Sequence, residues 1–130
     1  MLALVVVGGL IVATHVVVKL EHSIAAAAIN RQRAFAASEF ALWTSVAVLA
    51  PWDAPMVPGG AATDVVRFGA DSAIVTTVRL NEHLYWVVAD ATVGVASFRA
   101  RRRTATNVRV STDSVGQPVA AVRRAWVDLH

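Results

Sequence analysis

The chain starts with residues 1–19, MLALVVVGGLIVATHVVVK, in which no side chain before Lys19 is charged if His15 is neutral. Eighteen residues at a rise of about 1.5 Å give a helix of about 27 Å, close to the thickness of the hydrocarbon layer of a bilayer. Long runs of β-branched valine are tolerated in lipid, whereas in water they favour strands. We therefore expect residues 1–20 to form a transmembrane helix.

Two other interpretations of this stretch stay open. A cleaved signal peptide has a basic segment before its apolar core and a small-residue cleavage site. Here no basic residue precedes the apolar run, which continues directly into Lys19, Glu21 and His22. A buried helix of a soluble protein is the second interpretation. The composition favours the membrane span, because 56% of the residues are hydrophobic and the mean hydropathy is +0.55, both high for a soluble domain.

Residues 21–50 predict a continuation of the helix beyond the membrane. They contain no proline or glycine and are rich in alanine, the best helix former. Apolar residues recur at near-heptad spacing and define an amphipathic face: Ile24, Ala28, Phe35, Leu42, Val46 and Leu49. A single rod ending before Pro51 would be about 73 Å long, so its second half must pack against a domain or a partner. Two helices with a bend near residues 21–23 are the alternative.

The sequence changes character after the helix. Residues 51–64, PWDAPMVPGGAATD, hold three of the four prolines and predict a linker. Residues 65–130 are rich in alternating and β-branched runs, which predict a small antiparallel β-domain. The predicted strands are residues 65–68, 72–80, 84–89, 92–101, 107–110 and 119–129, separated by GADS, NEH, TATN and VGQP turns. The last segment is compatible with a helix as well.

The expected fold class is α+β, with a long N-terminal transmembrane helix and amphipathic extension followed by a small antiparallel β-domain. An apolar helix from residue 1, an alanine-rich extension carrying RQRAFAASEFAL, a Pro/Gly loop and a β-domain follow one another. This layout resembles the type IV pilin superfamily, especially minor pilins and pseudopilins. The family usually begins with Phe or Met, then Thr-Leu, and has Glu at the fifth mature position, where this chain has Leu2, Ala3 and Val5. The resemblance implies a rod that packs in a filament and an extracytoplasmic β-domain.

Small residues mark part of the span as a helix-packing site. Gly8, Gly9 and Ala13 would let a neighbouring helix approach closely, because helices in lipid associate by packing at small residues. His15 lies beside them, and three roles are open for it. The first role is that of a ligand to a pigment magnesium or a haem iron. The second is a hydrogen bond to another helix, and the third is a position at the membrane interface near Lys19 without a specific contact.

The densest charge feature is FRARRRTATNVR, residues 98–109. In an extended strand Arg99, Arg101 and Arg103 project to one face and form a cationic ridge, with Arg102 between them. Such a ridge suits acidic lipid headgroups or an acidic subunit. The alternative is a solvent-exposed face of the sheet, because runs of charged residues usually lie on solvated surfaces. Nucleic acid is not an expected partner, because Phe98 is the one nearby ring for base stacking.

The sequence contains no constellation typical of an enzyme. It has no cysteine, and its four histidines lack the spacing of metal ligands: His15, His22, His83 and His130. It has no glycine-rich phosphate loop and no nucleophile motif. We therefore expect no catalytic activity, no metal or cofactor, and no small-molecule substrate.

These observations predict a non-catalytic, single-span accessory subunit that stabilises a larger membrane protein complex, such as a photosynthetic or respiratory complex. Its partners would be other transmembrane subunits and lipids. The alternative is a minor pilin or pseudopilin-like subunit of a type IV pilus or type II secretion filament. Lys and Arg follow the span but do not precede it, which favours a cytoplasmic C-terminal part. The pilin-like layout favours the reverse, and we expect a bacterial inner-membrane protein with a periplasmic β-domain.

Overall fold

One helix and one sheet make up the computed structural model, which describes residues 2–49, 56–95, 98–112, 114 and 118–128. The helix, α1 (Leu2–Leu49), has 48 residues and is about 72 Å long. It is continuous through residues 21–23, so the prediction of a single rod is confirmed and the bend is not found. The absence of proline and glycine after Gly9 explains why this helix does not break.

The sheet is an antiparallel meander of five strands in the order β1-β2-β3-β4-β5. The strands are β1 (Ala61–Phe68), β2 (Asp71–Arg79), β3 (Leu84–Val93), β4 (Ala100–Thr112) and β5 (Pro118–Asp128). The α+β class is therefore confirmed, and the last segment is a strand rather than a helix. β1 begins at Ala61, inside the predicted linker, because the run AATDVVRF pairs with β2 along its whole length.

Two of the predicted turns are confirmed. At GADS, Phe68 pairs with Asp71, so the hairpin loop is Gly69 and Ala70. Gly69 has φ +64°, as the first residue of a type II′ hairpin turn requires. The NEH residues 81–83 connect β2 and β3. Residues 115–117 of the VGQP turn and residues 51–55 of the predicted linker lie outside the described residues.

The predictions of a strand at residues 92–101 and of a turn at TATN were wrong. The chain leaves β3 at Gly94, whose φ of +94° is rarely adopted by residues with a side chain. A Cβ at Gly94 would also lie 2.7 Å from the carbonyl oxygen of Phe98. The TATN residues lie inside β4, because β-branched Thr104 and Thr106 fit a strand and face the helix, where both are buried.

The second half of α1 covers one face of the sheet, mainly over β3 and β4. The buried helix residues recur every three or four positions: Ala34, Ala37, Ser38, Ala41, Leu42 and Val46. They pack on the buried strand residues Ala73, Val75, Val87, Ala89, Ala91, Val93 and Val108. The opposite face, called the open face below, is not covered by any described element.

The face that α1 buries differs in part from the predicted amphipathic face. Leu42 and Val46 are buried as predicted, whereas Ile24 and Phe35 are 62% and 41% exposed. Small residues, three alanines and one serine, take four of these six positions against the sheet, because a small side chain allows the helix backbone to approach the strands closely. The periodicity of large apolar residues could not reveal a seam built from small ones.

The first half of α1 extends beyond the sheet. Residues 7–25, called the projecting segment below, are exposed except for the half-buried Ser23. The large apolar residues of this segment are between 54% and 70% exposed: Val7, Leu10, Ile11, Val12, Val16, Val17, Val18, Leu20 and Ile24. In length and composition the helix is suited to cross a membrane.

Candidate membrane and docking site

Residues 7–18 of the projecting segment carry apolar side chains on every side of the helix. Consecutive helical residues are about 100° apart, so Leu10, Ile11 and Val12 point in three directions, as do residues 16–18. A helix that is apolar all round is covered by protein or by lipid. Burial of each such side chain contributes about 1.5–3 kcal/mol, so its nine large apolar residues favour a covered state by more than about 10 kcal/mol.

The predicted helix-packing residues lie on this segment. Gly8 and His15 are seven positions apart and share one face, and Gly9 and Ala13 share the adjacent face. A Cβ added at Gly8 or Gly9 would meet no atom within 4 Å. The side chain of Thr14 donates a hydrogen bond to the carbonyl of Leu10 at 2.7 Å, so its hydroxyl is satisfied within the helix. The two glycines are therefore open to contact with a neighbouring helix.

Two contacts fix the helix where it leaves the sheet. Asn30 Nδ2 donates to the carbonyl oxygen of Phe98 at 2.7 Å, and Arg33 Nη2 pairs with Asp71 Oδ2 at 2.8 Å. The backbone N–H of Gly94 donates to Asp71 Oδ1 at 3.3 Å. These bonds connect α1 to the β1–β2 turn and to the β3–β4 connection. They orient the projecting segment relative to the sheet, and the sequence predicted none of these contacts.

Arg101 and Arg103 share one carboxylate on the open face. Arg101 Nε donates to Asp90 Oδ1 at 2.7 Å, and its Nη2 donates to Oδ2. Arg103 donates to Asp90 Oδ2 from Nη2 at 2.7 Å and from Nε at 3.1 Å. The register explains this arrangement, because Asp90 pairs with Arg103 across β3 and β4. The hydrogen bond from Arg101, reinforced by Arg103, holds the pKa of Asp90 below its usual value although partial burial raises it.

The predicted ridge of Arg99, Arg101 and Arg103 forms only in part. Arg99 precedes β4, which begins at Ala100, so it is not part of the strand. Arg102 points to the helix side, where its guanidinium carbon lies 5.6 Å from the ring centroid of Phe35. Arg101 and Arg103 share the open face, with side chains 64% and 46% exposed. These two retain solvent-facing donors while they bind Asp90.

The far end of the sheet is organised around Arg79, which our sequence analysis missed. Its guanidinium donates to the carbonyls of Met56 at 2.6 Å and Glu82 at 2.9 Å. The same group lies 5.6 Å from the ring centroid of Tyr85. Arg79 therefore holds the segment before β1 against the β2–β3 turn. An arginine whose partners are backbone carbonyls leaves no sequence pattern by which it can be recognised.

A shallow groove of about 350 Å³ lies between α1 and the β1–β2 hairpin. Phe40 and Phe68 meet edge to face across it, with ring centroids 6.3 Å apart, and the Arg33–Asp71 pair closes one end. In the described part of the chain no three His, Cys, Asp or Glu side chains are grouped so that they could hold a metal ion. His130 lies outside that part.

No family model, no curated protein and no solved structure matches the chain. The long N-terminal apolar helix followed by a small antiparallel sheet is nevertheless a pilin-like layout. The resemblance is thus one of architecture.

Proposed function

We propose that this chain is a non-catalytic, single-span structural subunit that stabilises a larger membrane protein complex. The observation that carries the proposal is the projecting segment, whose residues 7–18 carry apolar side chains on all sides and are not covered by the described part of the chain. Lipid and neighbouring helices would cover it, and the β-domain would dock on an extramembrane surface. The contacts of Asn30 and Arg33 support this role, because they hold the domain at a defined orientation to the span.

A subunit of this kind needs shape as well as apolarity in its span. Helices in lipid have no hydrophobic drive toward one another and rely on close packing at small residues. Gly8 and Gly9, with open space around them, are the natural contact. Replacing both with Leu adds two isobutyl groups, and overpacking of fitted sites typically costs about 1–3 kcal/mol. That corresponds to roughly a tenfold to hundredfold weaker association.

The test begins with alkaline carbonate extraction of membranes, followed by purification of the tagged full-length chain in mild detergent. The wild-type chain should resist extraction and copurify with other membrane proteins. The Gly8→Leu/Gly9→Leu variant should resist extraction equally but lose those proteins. Thr14→Leu is the control, because it adds an apolar side chain on the opposite side of the helix and should retain them.

Release of the wild-type chain by carbonate would contradict the membrane span itself. Copurification of the double variant at wild-type stoichiometry would contradict docking through the glycines and would move the attachment to the β-domain.

A minor pilin or pseudopilin-like subunit of a type IV pilus or type II secretion filament is the second candidate. One observation favours it: a single helix projects with its first half and packs its second half on the middle of an antiparallel meander. In that case mechanical shearing of cells would release the chain in a large filamentous fraction. An accessory subunit would stay with the cell membrane. The pilin-like layout is also our reason to propose a bacterial inner-membrane location with a periplasmic β-domain.

A further inference from the structure

Arginines are concentrated at the end of the sheet from which α1 projects. The bond between Asn30 and Phe98 brings the neighbouring residues Arg31 and Arg99 to this end. Arg67 is opposite Ser72 near the β1–β2 turn, and Arg101 is opposite Thr92. We define the basic collar as the seven arginines of this region: Arg31, Arg33, Arg67, Arg99, Arg101, Arg102 and Arg103.

The charge of the molecule is strongly polarised toward this collar. Among the described residues, Asp71 and Asp90 form ion pairs with arginines of the collar, and seven arginines with these two acids give a formal charge of +5. The whole chain carries +3, so all other residues together carry −2. Asp64 and Asp128, two further acids of the sheet, lie at the register position of Thr104, one position beyond Arg103. The positive electrostatic potential of the molecule is therefore strongest at the end of the sheet from which the projecting segment extends.

The collar lies within electrostatic range of a membrane crossed by α1. If the hydrocarbon layer ends near Glu21, the Cα of Arg31 lies about 15 Å further along the helix. Headgroups occupy roughly the first 5–7 Å of that distance. Helical side chains point toward the N-terminus, so the guanidinium of Arg31 reaches back toward the membrane. The remaining gap is comparable to the Debye length of about 8 Å at physiological ionic strength, and tilting of the rod shortens it further.

We propose that the basic collar binds anionic lipid headgroups of the membrane that α1 crosses. The inference rests on the proposed function, because the collar faces lipid only if the projecting segment spans the bilayer. Guanidinium groups match phosphate oxygens with paired hydrogen bonds, and Arg101 and Arg103 have further N–H groups besides those bound to Asp90. The collar surrounds the base of the rod on both faces of the sheet, which suits a headgroup layer better than a single acidic protein surface.

The test uses the full-length chain reconstituted into vesicles of equimolar phosphatidylcholine and phosphatidylglycerol. Spin-labelled forms of the two lipids report the preference of the protein for the anionic one. One basic residue near an anionic surface contributes about fivefold in affinity. The wild-type chain should therefore prefer phosphatidylglycerol by about fivefold or more, and high salt should reduce this preference.

Two triple variants remove the same charge from different parts of the molecule. Arg31→Gln/Arg67→Gln/Arg99→Gln removes collar arginines outside the described ion pairs and should lower the preference toward equality. Arg109→Gln/Arg123→Gln/Arg124→Gln removes arginines beyond the collar and should retain it. Lys19 is unchanged in both, and equal circular dichroism spectra of the two variants establish that both are folded.

A wild-type chain that stays in the vesicles without preferring phosphatidylglycerol would overturn the collar proposal and leave the span intact. Equal losses in the two variants would overturn it too, because the effect would then follow net charge rather than position. Loss of a copurifying acidic protein from the collar variant, with an unchanged lipid preference, would assign the collar to that protein. Failure of the wild-type chain to remain in vesicles after carbonate treatment would instead contradict the proposed function.

Discussion

Asp90 lies on the open face of the sheet, where it binds Arg101 and Arg103. Two arginines bind its carboxylate and lower its pKa, with the hydrogen bond from Arg101 as the largest cause. A carboxyl group with a lowered folded-state pKa stabilises the fold above its unfolded pKa and loses this contribution as the pH falls through the folded value. Since both guanidinium groups are largely exposed, the contribution is modest.

We expect Asp90→Asn to lower the stability of the β-domain by about 1 kcal/mol at neutral pH, because it leaves two adjacent arginines without their anion. The midpoint of thermal unfolding in detergent should fall by about 4–8 °C. The difference in unfolding midpoint between Asp90→Asn and the wild type should shrink as the pH falls below 3.8, the ordinary pKa of an aspartate. Glu82→Gln is the control, because it removes an equal charge from the β2–β3 turn and should change the unfolding midpoint little. If the lower midpoint of Asp90→Asn persists at low pH, the loss of stability comes from lost packing rather than from lost charge.

At the scale of the elements, the seam between α1 and the sheet depends on small residues. Ala41 is fully buried in it, and Ala73, Ala89 and Ala91 on the strands are fully buried as well. Replacing Ala41 with Leu should push the helix off the strands and cost about 1–3 kcal/mol. Ala47 lies on the exposed side of the same helix, so Ala47→Leu adds the same atoms without a clash.

Thermal unfolding followed by the near-ultraviolet signal of the tryptophans checks this expectation. Ala41→Leu should unfold at a clearly lower temperature than Ala47→Leu, by about 4–8 °C for each kcal/mol. Equal midpoints would mean that the seam has room for a larger side chain and that close approach does not hold the helix on the sheet.

The elements that the sequence predicted correctly are those set by local patterns. The apolar run of residues 1–18 and the absence of proline and glycine from residues 21–50 predicted the rod, and alternation with the GADS and NEH turns predicted the antiparallel sheet. The TATN error arose because Thr and Asn occur in turns as well as in strands. The Asp90 cluster and the Asn30 contact depend on the register of distant segments, which a single-strand pattern does not contain. The alternation of side chains along a strand did predict correctly that Arg101 and Arg103 lie on the same face of the sheet.

At the scale of the whole molecule, three features align along one axis. The apolar projecting segment lies at one end, the basic collar surrounds its base, and the remaining residues of the chain carry a net negative charge. This order is the one that a protein standing in a membrane needs, with apolar, cationic and solvated zones in sequence. The account therefore depends above all on whether the projecting segment lies in lipid.

Single-cysteine labelling tests this claim most directly, because the chain has no cysteine of its own. Val12→Cys places a thiol in the middle of the apolar residues 7–18 of the projecting segment, and Glu82→Cys places one in the exposed β2–β3 turn. A charged maleimide reacts with thiolate in water. In intact membranes we expect no labelling at position 12 until the membrane is dissolved in denaturing detergent, and ready labelling at position 82 from one side of the membrane. Labelling of position 12 in intact membranes as fast as position 82 would contradict the account.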